Sequence, residues 1–290
     1  LNHPCLVPFD HSFKIASAPS STPEGVETAD GEKPGKRLGK VREELKNLQQ
    51  IFYADHRYSL LLVFQAMDAA GKDSTIREVI SGLDPAGFIV TSFKQPTAVE
   101  LDHDFLWRTV EHLPKRGHIS VFNRSYYEEV ITVRVHPEYL DKQHLPLTFN
   151  LTDIWKHRYE SIQTHEQHLA RNGTVIIKFW LNISPEEQRL RLLARLDKPD
   201  KNWKFAAGDL EARRYWKNYL AAYEETLNTT STPWAPWYAI PADNKPLMRL
   251  TVAEIIRDTL KTLPLHYPEI HAETLQKFRR TLEENPPKKT

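Results

Sequence analysis

Five short apolar runs punctuate the chain, at residues 58–64, 88–93, 118–122, 174–181 and 237–240. Near-continuous apolar runs of this length predict strands buried on both faces rather than strands with one wet side. Between them apolar residues recur every three or four positions, predicting helices over 74–83, 100–113, 126–135, 151–171, 185–196, 209–227 and 247–263. Val41, Leu45, Leu48, Ile51 and Phe52 keep the same spacing ahead of the first strand and predict a docked helix. Buried strands alternating with helices imply an α/β fold with a parallel sheet covered on both faces. Residues 17–38 are rich in Ser, Pro, Gly and charge, so residues 1–38 read as a flexible N-terminal segment. The ordered domain is then 39–265, and 266–290 is a tail expected to fray.

Bulk properties narrow the partners. A chain of 290 residues can bury a substantial core. Its net charge of +1 argues against a nucleic-acid-coating surface, although a local basic cleft is invisible in that sum. Cys5 is the single cysteine, which excludes an internal disulfide framework and a cysteine-based zinc site. No apolar run approaches the roughly 20 residues needed to span a bilayer. The first residues lack the basic-then-apolar layout of a secretory signal. The expectation is a soluble cytoplasmic protein without nucleic-acid or membrane partners.

The first strand runs into F-Q-A-M-D-A-A-G-K-D at 64–73, a glycine–lysine turn that opens a helix. Such a turn gathers helix-start N–H groups and a lysine around an anion. Gly71 would let the backbone turn, Lys72 would reach the phosphates, and Ala69, Ala70, Asp73 and Ser74 complete the cradle. The motif is irregular. The usual G-x-x-x-x-G-K-[ST] would place Gly at Ala66 and Ser or Thr at Asp73. The hydroxyl that ordinarily holds Mg²⁺ is missing, and Asp68 is the natural replacement, because Mg²⁺ is held through one or two carboxylates plus phosphate oxygens. The bland alternative is that Asp68 only bonds loop amides.

The third strand ends in N-R-S-Y-Y-E at 123–128. Ser125 with Glu128 three residues later fits a capping box, so Ser125 reads as a cap rather than a nucleophile. Asn123 and Arg124 sit where open α/β sheets place ligands, and Arg124 offers a planar fork for phosphate oxygens. His165 and His168 lack the i, i+4 spacing of a zinc-protease helix and read as exposed helix residues. The tryptophans read mostly as packing.

The loop at 64–73, V-T-S-F-K-Q-P at 90–96, D-F-L-W-R at 104–108 and F-N-R-S-Y-Y-E at 122–128 together resemble the type-two polyphosphate kinases. N-W-K-F-A-A-G-D at 202–209 and the block at 230–245 continue the resemblance in order. It implies a thymidylate-kinase-like P-loop kinase fold with a five-stranded parallel sheet and a helical lid. It also implies phosphate transfer between inorganic polyphosphate and AMP, ADP or ATP, with Mg²⁺, or Mn²⁺ in its place, and a homo-oligomeric assembly. Asn123, where ADP-specific members commonly carry Asp, resembles the subgroup accepting both AMP and ADP. Tyr126 and Ser74 depart from the family, which commonly has His and Gly there. Lys94, Arg108 and Glu128 fall in the matched blocks and are expected to touch phosphate or nucleotide. The lid is expected over 189–217, with Arg195 as a catalytic arginine and Lys204, Arg213 and Lys217 as phosphate ligands. Arg189 and Arg214 are expected to be surface only.

The implied chemistry is in-line phosphoryl transfer without a strong general base, resting on Asp68, Lys72, Asn123, Arg124 and Arg195. Two other readings stay open at this point: an ATP-dependent nucleoside monophosphate kinase, and a binding protein that has lost catalysis.

Overall fold

A computed structural model describes residues 3–21, 31–146, 150–199, 202 and 207–284. Its elements run α1 (Pro34–Asp55), β1 (Ser59–Ala66), α2 (Lys72–Val79), β2 (Phe88–Ser92), α3 (Ala98–Leu101), α4 (Trp107–Val110), β3 (Ile119–Asn123), α5 (Thr132–Val135), α6 (Leu151–Arg171), β4 (Thr174–Asn182), α7 (Pro185–Leu196), α8 (Ala207–Arg214), α9 (Trp216–Thr230), β5 (Trp237–Pro241), α10 (Lys245–Thr262) and α11 (Ala272–Glu284). The five strands form one parallel sheet in the order β2-β3-β1-β4-β5. Central β1 is buried at all eight residues, with Leu62 opposite Val121 on one side and Ile177 on the other. That is why it reads as an unbroken apolar run. Helix α10 packs on α1 and α2 over one face, and α6 packs on β4 and α9 over the other.

Caps set several helix limits. Ser184 accepts the Glu187 N–H with Pro185 in the first turn, so α7 begins where the pattern predicts. The helix expected over 100–113 is two short ones. Thr97 and Glu100 form a capping box for α3, and Asp104 then accepts the Leu106 N–H and turns the chain into α4. The helix expected over 126–135 is a 3₁₀ turn at Tyr126–Glu129 followed by α5. Ser125 does cap it through the Tyr127 N–H, but the Glu128 carboxylate turns to Gln65, Arg124 and Thr132 and closes no box. The helix expected over 209–227 divides at Tyr215.

Residues 3–21, which composition assigns to a flexible segment, are anchored instead. Leu6 forms an antiparallel bridge with Tyr238, the Val7 N–H donates to Trp237 O at 2.9 Å, and Val7 is fully buried. Helix α1 already starts at Pro34. Residues 266–284 include α11, which buries none of its side chains. The motif at 286–290 lies outside the described residues.

Candidate active site

Strand β1 delivers the chain at Ala66 to a loop that turns through two left-handed residues, Ala69 (φ 62°) and Gly71 (φ 104°). Glycine takes that conformation freely, whereas alanine spends roughly 1–2 kcal/mol on it. Lys72 opens α2 and is buried; its Nζ donates to Ala66 O at 2.8 Å and lies 3.5 Å from Met67 O. Burial, and next the Arg124 charge, push its ammonium down to about 8. Asp68, Glu128 and Asp73 pull the other way. The cation is parked on loop carbonyls, with carboxylates around it. The Ser74 hydroxyl donates to Gly71 O at 3.0 Å and so serves the turn.

Strand β3 ends beside this loop. The Arg124 N–H donates to Phe64 O at 3.0 Å, and the residue is left-handed (φ 64°), which turns its side chain back over the loop. One guanidinium nitrogen is 2.8 Å from Asp68 Oδ1 and the other 3.4 Å from Glu128 Oε2. Glu128, against the cost of burial and with help from Asp68, raises the Arg124 pKa. Asn123 Nδ2 donates to Asp73 Oδ1 at 2.8 Å and to Ser92 Oγ at 3.3 Å. Asp68, Lys72, Asp73, Asn123, Arg124 and Glu128 therefore converge at the carboxyl ends of β1 and β3, the position where open parallel sheets hold ligands.

A divalent ion suits this donor set only in part. Asp68 and Asp73 are hard oxygen donors with exposed or half-exposed carboxylates. Among the described residues no three His, Cys, Asp or Glu side chains form a metal cluster. The fit is to an ion completed by phosphate oxygens, not to an all-protein cage.

The outer residues are spread more widely. Lys94 is exposed, and its carbonyl accepts from Arg108 at 2.8 Å. Arg108 also pairs with Glu100 at 3.1 Å and lies over the Phe93 ring, so protein groups already hold its guanidinium. Beside it is a cavity of about 220 Å³ lined by Phe105, Arg108, Glu129, Gln143 and Arg158 among others. Arg195 is half-buried in the last turn of α7, and Lys217 is exposed at the start of α9. Arg213 donates to Pro185 O at 3.0 Å and Gln188 Oε1 at 2.7 Å, which places its charge against α7. Lys204 lies outside the described residues, as does Trp203. Arg189 pairs with Glu186 on the surface, and Arg214 is exposed. His168 is exposed, but His165 is half-buried, edge-on to Tyr126.

Three residues escaped the sequence reading. Gln188 donates to Asp68 O, and Arg191 donates to Ala69 O and Ala70 O, both from α7. Arg158 is buried with Glu129 at 2.9 Å on the wall of the cavity. Charge interleaved with Leu and Glu along α7 looks like a solvated face, so only the burial of Gln188 and Arg191 singles them out.

Comparison with known proteins meets the same segments. Residues 28–266 match the family model described as polyphosphate kinase 2. The chain is 56% identical over 228 residues to an ADP-polyphosphate phosphotransferase of Rhodopseudomonas palustris, covering 78% of this chain and 79% of that one. It is 45% identical over 232 residues to an AMP/ADP-polyphosphate phosphotransferase of Meiothermus ruber, covering 80% and 83%. A crystal structure of polyphosphate kinase 2 from Arthrobacter aurescens superposes with a TM-score of 0.84 at 35% identity, covering 94% of this chain and 93% of that one. A match that takes in all five strands, the phosphate loop and the β3 turn makes this chain a member of the polyphosphate kinase 2 family.

Proposed function

We propose that the protein transfers the terminal phosphoryl group of inorganic polyphosphate to AMP or ADP, and runs the reverse reaction when ATP is abundant. The observation that carries this reading is the convergence of Lys72, Arg124 and Asp68 on a phosphate loop, in a family whose named relatives use polyphosphate. An oxygen of the acceptor's terminal phosphate forms a new P–O bond to the terminal phosphorus of polyphosphate. The bridging P–O bond breaks, and its electron pair leaves with the shortened chain. The attacking oxygen is already ionised, so positioning and charge neutralisation supply the catalysis. Lys72 and Arg124 brace the transferring group, and Asn123 orients the acceptor. Arg195, Lys217 and the segment containing Lys204 bring further positive charge from the lid. The walled cavity beside Arg108 offers a space for the nucleoside.

A bound Mg²⁺ or Mn²⁺ would neutralise phosphate charge, with Asp68 as its protein ligand and Asp73 nearby. Asp68 must give up Arg124 to take that role, and Arg124 is then freed for phosphate. A cytoplasmic homo-oligomer belongs to the same reading. No helix among the described residues is long and apolar enough to cross a membrane, and light scattering tests the assembly.

The test incubates the protein with Mg²⁺, polyphosphate and either AMP or ADP, resolves the nucleotides over time, and repeats the run with ATP as donor. Polyphosphate-dependent ADP and ATP are expected. Product from ATP and AMP alone, with polyphosphate ignored, would instead make it a nucleoside monophosphate kinase. Lys72→Ala should lower the rate by roughly 10²–10³; near-wild-type turnover would overturn the site assignment.

A further inference from the structure

Every carbonyl from Ala66 to Gly71 is held by a donor. Lys72 Nζ takes Ala66 O at 2.8 Å and reaches Met67 O at 3.5 Å. Gln188 Nε2 takes Asp68 O at 2.9 Å. Arg191 takes Ala70 O at 2.7 Å and Ala69 O at 3.3 Å. Gly71 O accepts the Thr75 N–H at 2.9 Å and the Ser74 hydroxyl at 3.0 Å. In a planar trans peptide the C=O and the following N–H point in opposite directions. Pinning the carbonyls of Asp68, Ala69 and Ala70 therefore aims the amides of Ala69, Ala70 and Gly71 the other way. The Ala70 N–H folds onto Met67 O at 3.3 Å. Among the described residues, the Ala69 and Gly71 amides have no hydrogen-bond acceptor.

Arg191 has no donor to spare for a phosphate. A guanidinium carries five N–H groups, and this one meets five acceptors: Glu187 Oε1, Ala69 O, Ala70 O, Ala242 O and Asp243 O. It is buried and joins three segments: α7, the phosphate loop and the turn between β5 and α10. Gln188 is fully buried and works in the same direction, accepting from Arg213 through Oε1 while donating to Asp68 O. Its amide thus ties lid helix α8 to the backbone of the residue expected to meet the metal.

We propose that Arg191 and Gln188 are positioning residues: from α7 they hold the carbonyl side of the phosphate loop, so that the Ala69 and Gly71 amides face the polyphosphate. This rests on the reading that the loop binds polyphosphate. A lysine cannot substitute for Arg191, because three donors on a point charge cannot span acceptors in three segments. Gln188→Glu keeps volume and the contact to Arg213 but replaces the Nε2 donor with an oxygen facing Asp68 O.

The experiment compares wild type, Arg191→Lys, Gln188→Glu and the surface control Arg189→Ala. It measures kcat and KM for polyphosphate-driven ATP formation, tripolyphosphate affinity by calorimetry without nucleotide, and Tm. Arg191→Lys and Gln188→Glu are expected to lose about 10²-fold in kcat, the cost of a misplaced cradle. They are also expected to bind tripolyphosphate at least roughly tenfold more weakly, as lost loop amides demand. Arg189→Ala should match wild type in all three readouts. A purely structural role would lower Tm but leave kcat per folded molecule and tripolyphosphate affinity alone. If Gln188→Glu stays within about twofold of wild type in both, the inference is wrong, whatever Arg191→Lys does to folding. If wild type makes no ATP from polyphosphate, the functional reading fails instead, and the tripolyphosphate titration still judges the positioning role.

Discussion

Lys178 is a charged residue in the middle of β4, and both it and its partner Glu166 on α6 are fully buried. Lys178 Nζ donates to Glu166 Oε2 at 2.6 Å, to the Tyr127 hydroxyl at 2.8 Å and to Thr230 O at 2.8 Å, which uses all three of its donors. Glu166 Oε1 in turn accepts the hydroxyls of Tyr126 at 2.9 Å and Tyr127 at 2.7 Å. Burial pushes the lysine pKa down, and burial together with Glu166 pushes both tyrosines far up. Lys178→Met removes the cation, leaves the carboxylate desolvated against two phenols and orphans Thr230 O. Breaking one side of a buried pair costs about 3–5 kcal/mol. At about 2–4 °C per kcal/mol for a chain of this size class, Tm should fall by roughly 6–20 °C. Replacing both partners, Lys178→Met with Glu166→Gln, should return to within about 1 kcal/mol of wild type, because the uncompensated charge is gone. Calorimetric melts of the four proteins form the double-mutant cycle. Tyr126 and Tyr127 follow Arg124 closely, so ATP formation by the single variant should also weaken below its Tm. A single-variant loss under about 1 kcal/mol, or a double variant as unstable as the two singles summed, would refute the reasoning.

Three further outcomes are expected. Lys72, held near 8 by burial, loses its charge as pH rises through that value, so tripolyphosphate affinity of the free protein should fall above pH 8; Lys72→Met should flatten that dependence in calorimetric titrations. Its folded pKa lies below the unfolded 10.5, so the unfolded chain binds more protons and the Lys72 contribution to stability rises with pH from about 8 to 10.5, which urea unfolding across that range checks. Asn123→Asp sets a carboxylate against Asp73 Oδ1 at the present 2.8 Å contact, a repulsion of about 1.5 kcal/mol at the dielectric of water and more in a drier site. Turnover should drop and be restored by adding Asp73→Asn; strictly additive losses in the cycle would contradict the contact. Deleting residues 1–21 removes buried Val7, about 1.5–3 kcal/mol of burial, and should lower Tm measurably; an unchanged melt would mean the segment contributes nothing.

The sheet was legible because buried parallel strands are apolar runs, and the phosphate loop because a glycine–lysine turn follows the first of them. Lys178 shows the limit of that signal: a cation inside β4 is silent until Glu166, twelve positions earlier on another element, is seen to meet it. The short helices α3 and α4 were read as one, since apolar spacing persists through Asp104 while its side chain caps the break. Asn123 and Arg124 could be found from their place at a strand end. Gln188 and Arg191 could not, because their role depends on carbonyls about 120 positions away. Arg213 carried the opposite error of emphasis: its charge suggested a phosphate ligand, and its geometry turns it toward Gln188. The anchoring of residues 3–21 was hidden because a segment held by its backbone carbonyls and amides leaves little trace in composition.

That anchored segment has a consequence for how the chain is made. The Ser231 hydroxyl donates to Val7 O across 224 positions, and the Asp243 N–H donates to Ser20 O at 2.9 Å. The first part of the chain to leave the ribosome therefore finds its seat only after β5 and the following turn have emerged. At about 5–20 residues per second, Val7 and its neighbours wait roughly 10–45 s without their partners. Over that interval they are open to chaperones and proteases. The strap is the last element that translation allows to dock, although it is the first to be made.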